Sequence, residues 1–115
     1  KTLVVLPPES SKKPLLVMVP ANKQLDTKRL AEAINAKKIK LATHKEAEQL
    51  TGLQVGGISA VALLNKPFSI CIDDSATRYP HIYISAGKKG MQLKISVRDL
   101  IQLTKARVLA VSGEG

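Results

Sequence analysis

Thr51-Gly52-Leu53-Gln54-Val55-Gly56-Gly57-Ile58-Ser59-Ala60 is the stretch around which the rest of the chain is organised. Its three glycines fall within six residues, between a helix-like pattern upstream and a strand-like one downstream. Glycine serves where the backbone needs positive φ, or where another molecule must approach without meeting a Cβ. A loop of this kind exposes peptide N–H groups that can hold a carbonyl oxygen, a phosphate or a developing oxyanion. The same residues also fit a plainer role, a helix C-cap at Gly52 followed by a tight turn at Gly56-Gly57. The flanking sequence has to choose between them.

Upstream, Thr43-His44-Lys45-Glu46 has the capping-box spacing, which predicts a short helix running to Leu50 and ending at Gly52. Before it, Lys37 to Leu41 reads as a strand, with Ile39 and Leu41 on one face and Lys38 and Lys40 on the other. Asp26 or Thr27 caps an earlier helix through about Asn35, whose Leu30, Ala31 and Ile34 share a face. Lys1 to Leu6 and Leu15 to Val19 are apolar, β-branched runs too short for helices. They pair as a hairpin across the polar connection Pro7 to Pro14, which carries Ser10-Ser11-Lys12-Lys13. The first strand starts at the first residue, so further sequence upstream is expected.

Downstream, Val61 to Leu64 leads to a turn at Asn65-Lys66-Pro67 and a strand from Phe68 to Ile72, closed by one helical turn at Asp73-Asp74-Ser75. His81 to Ser85 alternates strictly, sending Ile82 and Ile84 to the core and His81, Tyr83 and Ser85 to the other face. A basic turn, Ala86-Gly87-Lys88-Lys89-Gly90, precedes a strand from Met91 to Ile95. Ser96 starts a helix to about Lys105 with Leu100, Ile101 and Leu103 inward; Ala106 to Val111 is a last strand, and Gly113-Glu114-Gly115 frays. About seven strands and three short helices, without regular βαβ alternation, predict a mixed α/β (α+β) fold. Its mostly antiparallel sheet curls around a core and carries the helices outside. At 115 residues, positions 1–115 make one domain.

No apolar run approaches the ~20 residues that span a bilayer, and the N-terminus does not have the pattern of a signal peptide. A single cysteine rules out an internal disulfide and fits a reducing compartment, which predicts the cytoplasm. Eighteen Lys and Arg against nine Asp and Glu give a net charge of +9, which attracts polyanions, nucleic acid above all. Aromatics are only 3% of residues, so the expected contacts are to phosphates, with little base stacking. There is no P-loop, no G-x-S-x-G and no H-E-x-x-H. His44, Cys71 and His81 are too dispersed to make a zinc site, and Cys71, between two isoleucines of a strand, reads as a packed thiol. The sequence leaves a Ser-His-Asp triad open but has nothing local in its favour, so enzymatic chemistry on this chain is expected to lean on backbone amides, lysines, hydroxyls and the substrate's own groups.

Four segments then carry a resemblance. Lys1-Thr2-Leu3-Val4, Val19-Pro20-Ala21-Asn22-Lys23-Gln24-Leu25-Asp26, Thr51 through Ser59, and Ile84-Ser85-Ala86-Gly87-Lys88-Lys89-Gly90 resemble the YbaK/EbsC family in order and spacing over essentially the whole chain. These are aminoacyl-tRNA editing domains, which also occur inserted in bacterial prolyl-tRNA synthetases. The resemblance implies a barrel-like mixed α/β sheet and hydrolysis of the ester of a mischarged tRNA. That substrate would be Cys-tRNA(Pro), or, as the weaker candidate, Ala-tRNA(Pro). It implies the acceptor end of tRNA, and prolyl-tRNA synthetase, as partners, and no cofactor or metal. Lys1 matches the family's key lysine, and Gly56, with Gly57 beside it, the glycine whose backbone faces the scissile ester. Ser85 matches a serine near the aminoacyl group and Asp73 an acidic residue at the pocket edge, with Ser59 and Gly87 from the same motifs as further substrate contacts. Lys88 and Lys89 are the expected tRNA contacts. Ala60 departs from the family pattern, which usually has proline there. The resemblance also implies an upstream segment that supplies helices and one wall of the pocket. Two other readings share the fold: a tRNA-binding or regulatory module without hydrolysis, and an editing domain excised from a synthetase.

Overall fold

The alternation of side chains in the first two strands sets the architecture. In the computed structural model, which describes residues 1–9 and 12–113, β1 (Thr2–Leu6) and β2 (Leu15–Met18) form the expected antiparallel hairpin, with Val4 opposite Leu16 and Val5 opposite Leu15. The chain continues through β3 (Gln24–Leu25), α1 (Thr27–Ala33), β4 (Lys40–Leu41) and α2 (His44–Thr51) to β5 (Ser69–Asp73). A 3-10 helix (Asp74–Arg78), β6 (His81–Ser85), β7 (Gln92–Ser96), α3 (Val97–Thr104), β8 (Arg107–Leu109) and β9 (Ser112–Gly113) complete it. The main sheet has five strands in the order β4-β1-β2-β5-β8; β1 is antiparallel to both its neighbours, whereas β2, β5 and β8 run parallel. Two antiparallel pairs, β3-β9 and β6-β7, stand beside it, so antiparallel pairings outnumber parallel ones and no barrel closes.

Because successive side chains point to opposite faces of a strand, the sheet carries two cores. Val4, Leu16, Met18, Ile70 and Ile72 share one face with Ala47 of α2, Ile84 of β6 and Leu100 of α3. Val5, Leu15, Val17, Val19 and Cys71 share the other with Leu30 of α1 and with Val111. Helices thus cover both faces, and only a sheet buried on both sides tolerates apolar runs as continuous as β1, β2 and β5.

The helices follow their local signals. Thr43 caps α2 through the predicted reciprocal pair: its Oγ1 accepts from Glu46 N at 3.1 Å, and Glu46 Oε1 accepts from Thr43 N at 2.9 Å. Gly52 ends the helix in the left-handed region, at φ 74°. Asp26 caps α1 and Ser96 caps α3. Several details differ from expectation. Leu103 is half exposed, because the inward stripe of α3 runs through Val97, Leu100 and Thr104; the Thr104 hydroxyl satisfies itself on Leu100 O at 2.7 Å. The strand expected over 37–41 is confined to β4, with Leu41 exposed. Residues 61–65 form turns. Gly113 does not fray but pairs with Gln24 in β9, while 10–11 and 114–115 lie outside the described residues. No helix among the described residues is long and apolar enough to cross a membrane.

Candidate active site

Since β1 runs opposite to β2 and β5, its first residues lie beside their carboxyl ends. Open sheets bind ligands beyond such ends, and a cleft of about 360 Å³ opens there, on the α2-α3 face. Its floor is Met18, Val19 and Ile72, and its far wall is β6, from Ile82 to Ser85, with Gln92 of β7. Lys1 and Thr2 stand on one side, Gly56 on the glycine loop, and Asp73, Ser75, Ala76 and Tyr79 along the edge. An apolar floor under a few convergent polar groups is the usual form of a small-molecule site.

The glycine loop reaches this cleft as a pinned element. Thr51 is buried; its Oγ1 donates to Ala47 O at 2.7 Å and accepts from Leu53 N at 3.1 Å. Glu48 Oε2 accepts from Val55 N at 3.0 Å, and Gly57 N donates to Gln54 O at 2.8 Å. The Gly57 amide is therefore occupied within the loop. The Gly56 N–H has no acceptor among the hydrogen bonds of the described residues, and Gly56 adopts φ 96°, which suits only glycine at low cost.

Gly57 has a different task. A Cβ there would lie 2.5 Å from Lys88 C and 2.6 Å from Lys89 N, so glycine is required for the basic turn to dock on the loop. Gly57→Ala would shift that backbone. The same docking lays the Lys89 stem across Gly56, its Cγ 3.3 Å from where a Cβ would be. Lys88 and Lys89 are themselves exposed, and Gly87 supplies the turn with φ 99°.

The other sequence-predicted residues divide. Lys1 is exposed at the cleft mouth while its backbone closes the β1-β2 ladder, N to Val19 O at 2.7 Å and O from Val19 N at 2.9 Å. Ser85 faces the cleft and its hydroxyl donates weakly to Gly56 O, at 3.5 Å. Ser59 is buried outside the cleft lining, with Oγ accepting from Ala62 N at 3.2 Å. Asp73 forms part of the cleft edge, but its carboxylate is turned inward. Oδ1 accepts from Val111 N and Ser112 N, both at 2.9 Å, and Oδ2 from the Ser112 hydroxyl at 3.0 Å, from Ser75 N at 3.2 Å and from the Ser75 hydroxyl. Burial pushes its pKa up, yet the hydrogen bonds from Ser75, Val111 and Ser112 prevail and hold it below the usual aspartate value.

Neither histidine lines the cleft. Cys71 packs on the α1 face, and burial pushes its thiol up, with Arg107 only partly offsetting this; the thiol is inert where it sits. The Ser75 hydroxyl donates to Asp73, whose lowered pKa makes it a weak base, and no histidine lines the cleft to activate Ser75 or Ser85. What the cleft offers chemically is a lysine ammonium, a free peptide N–H and hydroxyls around an apolar floor.

Sequence reasoning missed two lining residues of weight, Tyr79 and Tyr83, 60% and 64% exposed. Alternation places Tyr83 outward, but nothing local signals that outward there means cleft. Tyr79 lies in no motif.

Comparison with known proteins identifies the family and the fold. The family profile of the aminoacyl-tRNA editing domain matches residues 1–103. An Enterococcus faecalis protein named "Putative Cys-tRNA(Pro)/Cys-tRNA(Cys) deacylase EbsC" is 32% identical over 112 residues, which is 97% of this chain and 66% of that one. The crystal structure of hypothetical protein APE2540 superposes with a TM-score of 0.87 at 30% identity, covering 98% of this chain and 73% of the other. That of a "putative trans-editing enzyme for prolyl tRNA synthetase" gives 0.83 at 26% identity, covering 98% and 69%. With the family profile matched over residues 1–103, and with Lys1 and Gly56 on one cleft and the basic turn docked on the glycine loop, the chain belongs to the aminoacyl-tRNA editing domain family.

Proposed function

We propose that this chain hydrolyses the ester of a mischarged tRNA, with Cys-tRNA(Pro) the preferred substrate and Ala-tRNA(Pro) the weaker one. The observation that carries the reading is that one cleft joins Lys1 and the unengaged Gly56 amide over an apolar floor, without a histidine or cysteine among its lining residues. The aminoacyl side chain rests on Met18, Ile72 and Ile84. Attack on the ester carbonyl carbon comes from water, or from the sulfur of the bound cysteine itself. The carbonyl π-electrons move to oxygen, where the Gly56 N–H and the Lys1 ammonium stabilise the oxyanion. Collapse breaks the bond to the 3′-oxygen, which leaves as the ribose hydroxyl with the proton shed by the attacking water or thiol; attack by water releases the free amino acid, and attack by sulfur releases it as a cyclic thiolactone. Lys1 acts as a compact point charge. The work is done in the cytoplasm, alongside prolyl-tRNA synthetase.

The test is deacylation by the full chain of a panel containing Cys-tRNA(Pro), Ala-tRNA(Pro) and correctly charged Pro-tRNA(Pro). Release of cysteine faster than alanine, with the proline ester spared, is expected. Release no faster than spontaneous hydrolysis from every member would leave a tRNA-binding module in its place.

A further inference from the structure

A second cleft, of about 520 Å³, adjoins the first around the carboxyl end of β5. The two share Pro20, Asp73, Ser75 and Tyr79 as a common rim. Their characters are opposed. The first is floored by aliphatic side chains, whereas the second is lined by Lys23, Arg29 and Arg78 together with Asn22 and Ser112. Two acids also reach the second cleft. Asp73 spends its carboxylate on Ser75, Val111 and Ser112, and Asp74 is exposed; Arg29 is itself paired with Asp26 at 3.7 Å. With Arg29 paired to Asp26, the lining carries no net excess of cations over Asp73 and Asp74, and Arg78 is the cation it presents without an ion pair among the described residues.

Between the clefts stands Tyr79, at the end of the 3-10 helix and 60% exposed. The chain has two tyrosines and one phenylalanine, and both tyrosines line the first cleft. Composition alone argued against base stacking, but it counts aromatic residues without locating them. A ring left exposed on the divide between an apolar cleft and a polar one that presents Arg78 matches a nucleotide whose ester enters one side while its phosphate lies on the other. Resting on the deacylase reading above, we propose that Tyr79 is the stacking platform for the 3′-terminal base of the tRNA. The preceding phosphate then enters the second cleft, against Arg78. Stacking tolerates any base, because every base has a π-face; the platform therefore senses that a terminal base is present, and not which one.

The test uses the full chain and uncharged tRNA carrying 2-aminopurine as its 3′-terminal base, a fluorophore quenched by stacking. Quenching on binding is expected with the parent and with Tyr79→Phe, and its loss with Tyr79→Ala. Affinity for a CCA end should fall roughly 5- to 150-fold in Tyr79→Ala. The loss should persist when the last base is changed to G and vanish when that nucleotide is abasic. Arg78→Ala should weaken all three ends alike and lower the log–log salt slope by about 0.7. An unquenched probe on the parent, a Tyr79→Ala variant that weakens the abasic end as much as the others, or dequenching by Tyr83→Ala alone would each overturn the platform. The readout needs no chemistry, so the two readings fail separately. A chain that quenches the probe but deacylates nothing loses only the proposed activity; one that deacylates with an unquenched probe loses only the platform.

Discussion

Asp73 has five hydrogen bonds converging on one carboxylate, from two peptide N–H groups and a hydroxyl of the C-terminal segment and from Ser75. It ties β5 to β9 and to the 3-10 helix that ends at Tyr79, and so shapes the rim of both clefts. Removing it strands buried donors at about 1–3 kcal/mol each; Asp73→Ala should lower the melting temperature well beyond Asp73→Asn, which keeps one acceptor. Because its folded pKa is depressed, the stability it contributes is present above the ordinary aspartate range near pH 4 and is lost as pH falls through the lower folded value. Chemical denaturation followed downward from pH 6 should show a steeper decline for the parent than for Asp73→Asn, and parallel curves would remove Asp73 from the acid response. Lys1 is the opposite kind of residue, exposed and without structural side-chain bonds to lose. In the deacylase reading, Lys1→Ala should reduce turnover by on the order of 100- to 1,000-fold at an unchanged melting temperature. Lys1→Arg should recover little, since a planar fork replaces a compact charge. Parent-like turnover in Lys1→Ala would take Lys1 out of the site.

At the level of elements, the glycine loop and the basic turn form one docked unit, and their glycines separate two kinds of damage. Gly57→Ala would drive a Cβ into the Lys88–Lys89 peptide, which cannot rotate away as a side chain can. It should cost about 1–3 kcal/mol of stability and weaken tRNA binding together. Gly56→Ala meets only the flexible Lys89 stem and a positive φ, so its stability loss should be nearer ~1–2 kcal/mol and its main effect should fall on turnover. Equal melting temperatures with equal turnover losses would argue that the loop acts as a whole and that the two roles are not distinct. This docking also marks where sequence reading stops. The capping box of α2 was legible because its two hydrogen bonds close within Thr43 to Glu46. The Gly57–Lys88 contact spans distant segments, and no local rule says which of three glycines serves φ, which an amide and which an approach. The phase of α3 slipped for a related reason: hydropathy favours Leu103, but burying Thr104 costs little once its hydroxyl is bonded to Leu100 O.

On the scale of the whole molecule, the continuous apolar runs of β1, β2 and β5 marked them as strands, but the expected single core is in fact two, one on each face of the sheet. The family motifs gave the cleft one flank, through Lys1 and Gly56. The other flank, Tyr79 and the polar second cleft, depends on how the segment between β5 and β6 wraps the sheet edge, which spacing along the chain does not encode. Net charge was equally legible in amount and silent on location. Of its eighteen Lys and Arg, Lys88 and Lys89 are held beside Gly56 by the docked turn, whereas Lys40 is paired with Glu46 at 3.7 Å. Counterions are released only where a cation meets a phosphate, so position decides the salt dependence and total charge does not. If the strand enters along the basic turn, Lys88→Ala/Lys89→Ala should lower the log–log slope of tRNA affinity against salt by about 1.4–1.8, while Lys40→Ala, whose ammonium already has a carboxylate, should change it far less. Affinity measured from 50 to 200 mM salt decides the matter. A double variant with the parent slope, or a Lys40→Ala slope reduced as much as that of the pair, would place the phosphates elsewhere on the surface.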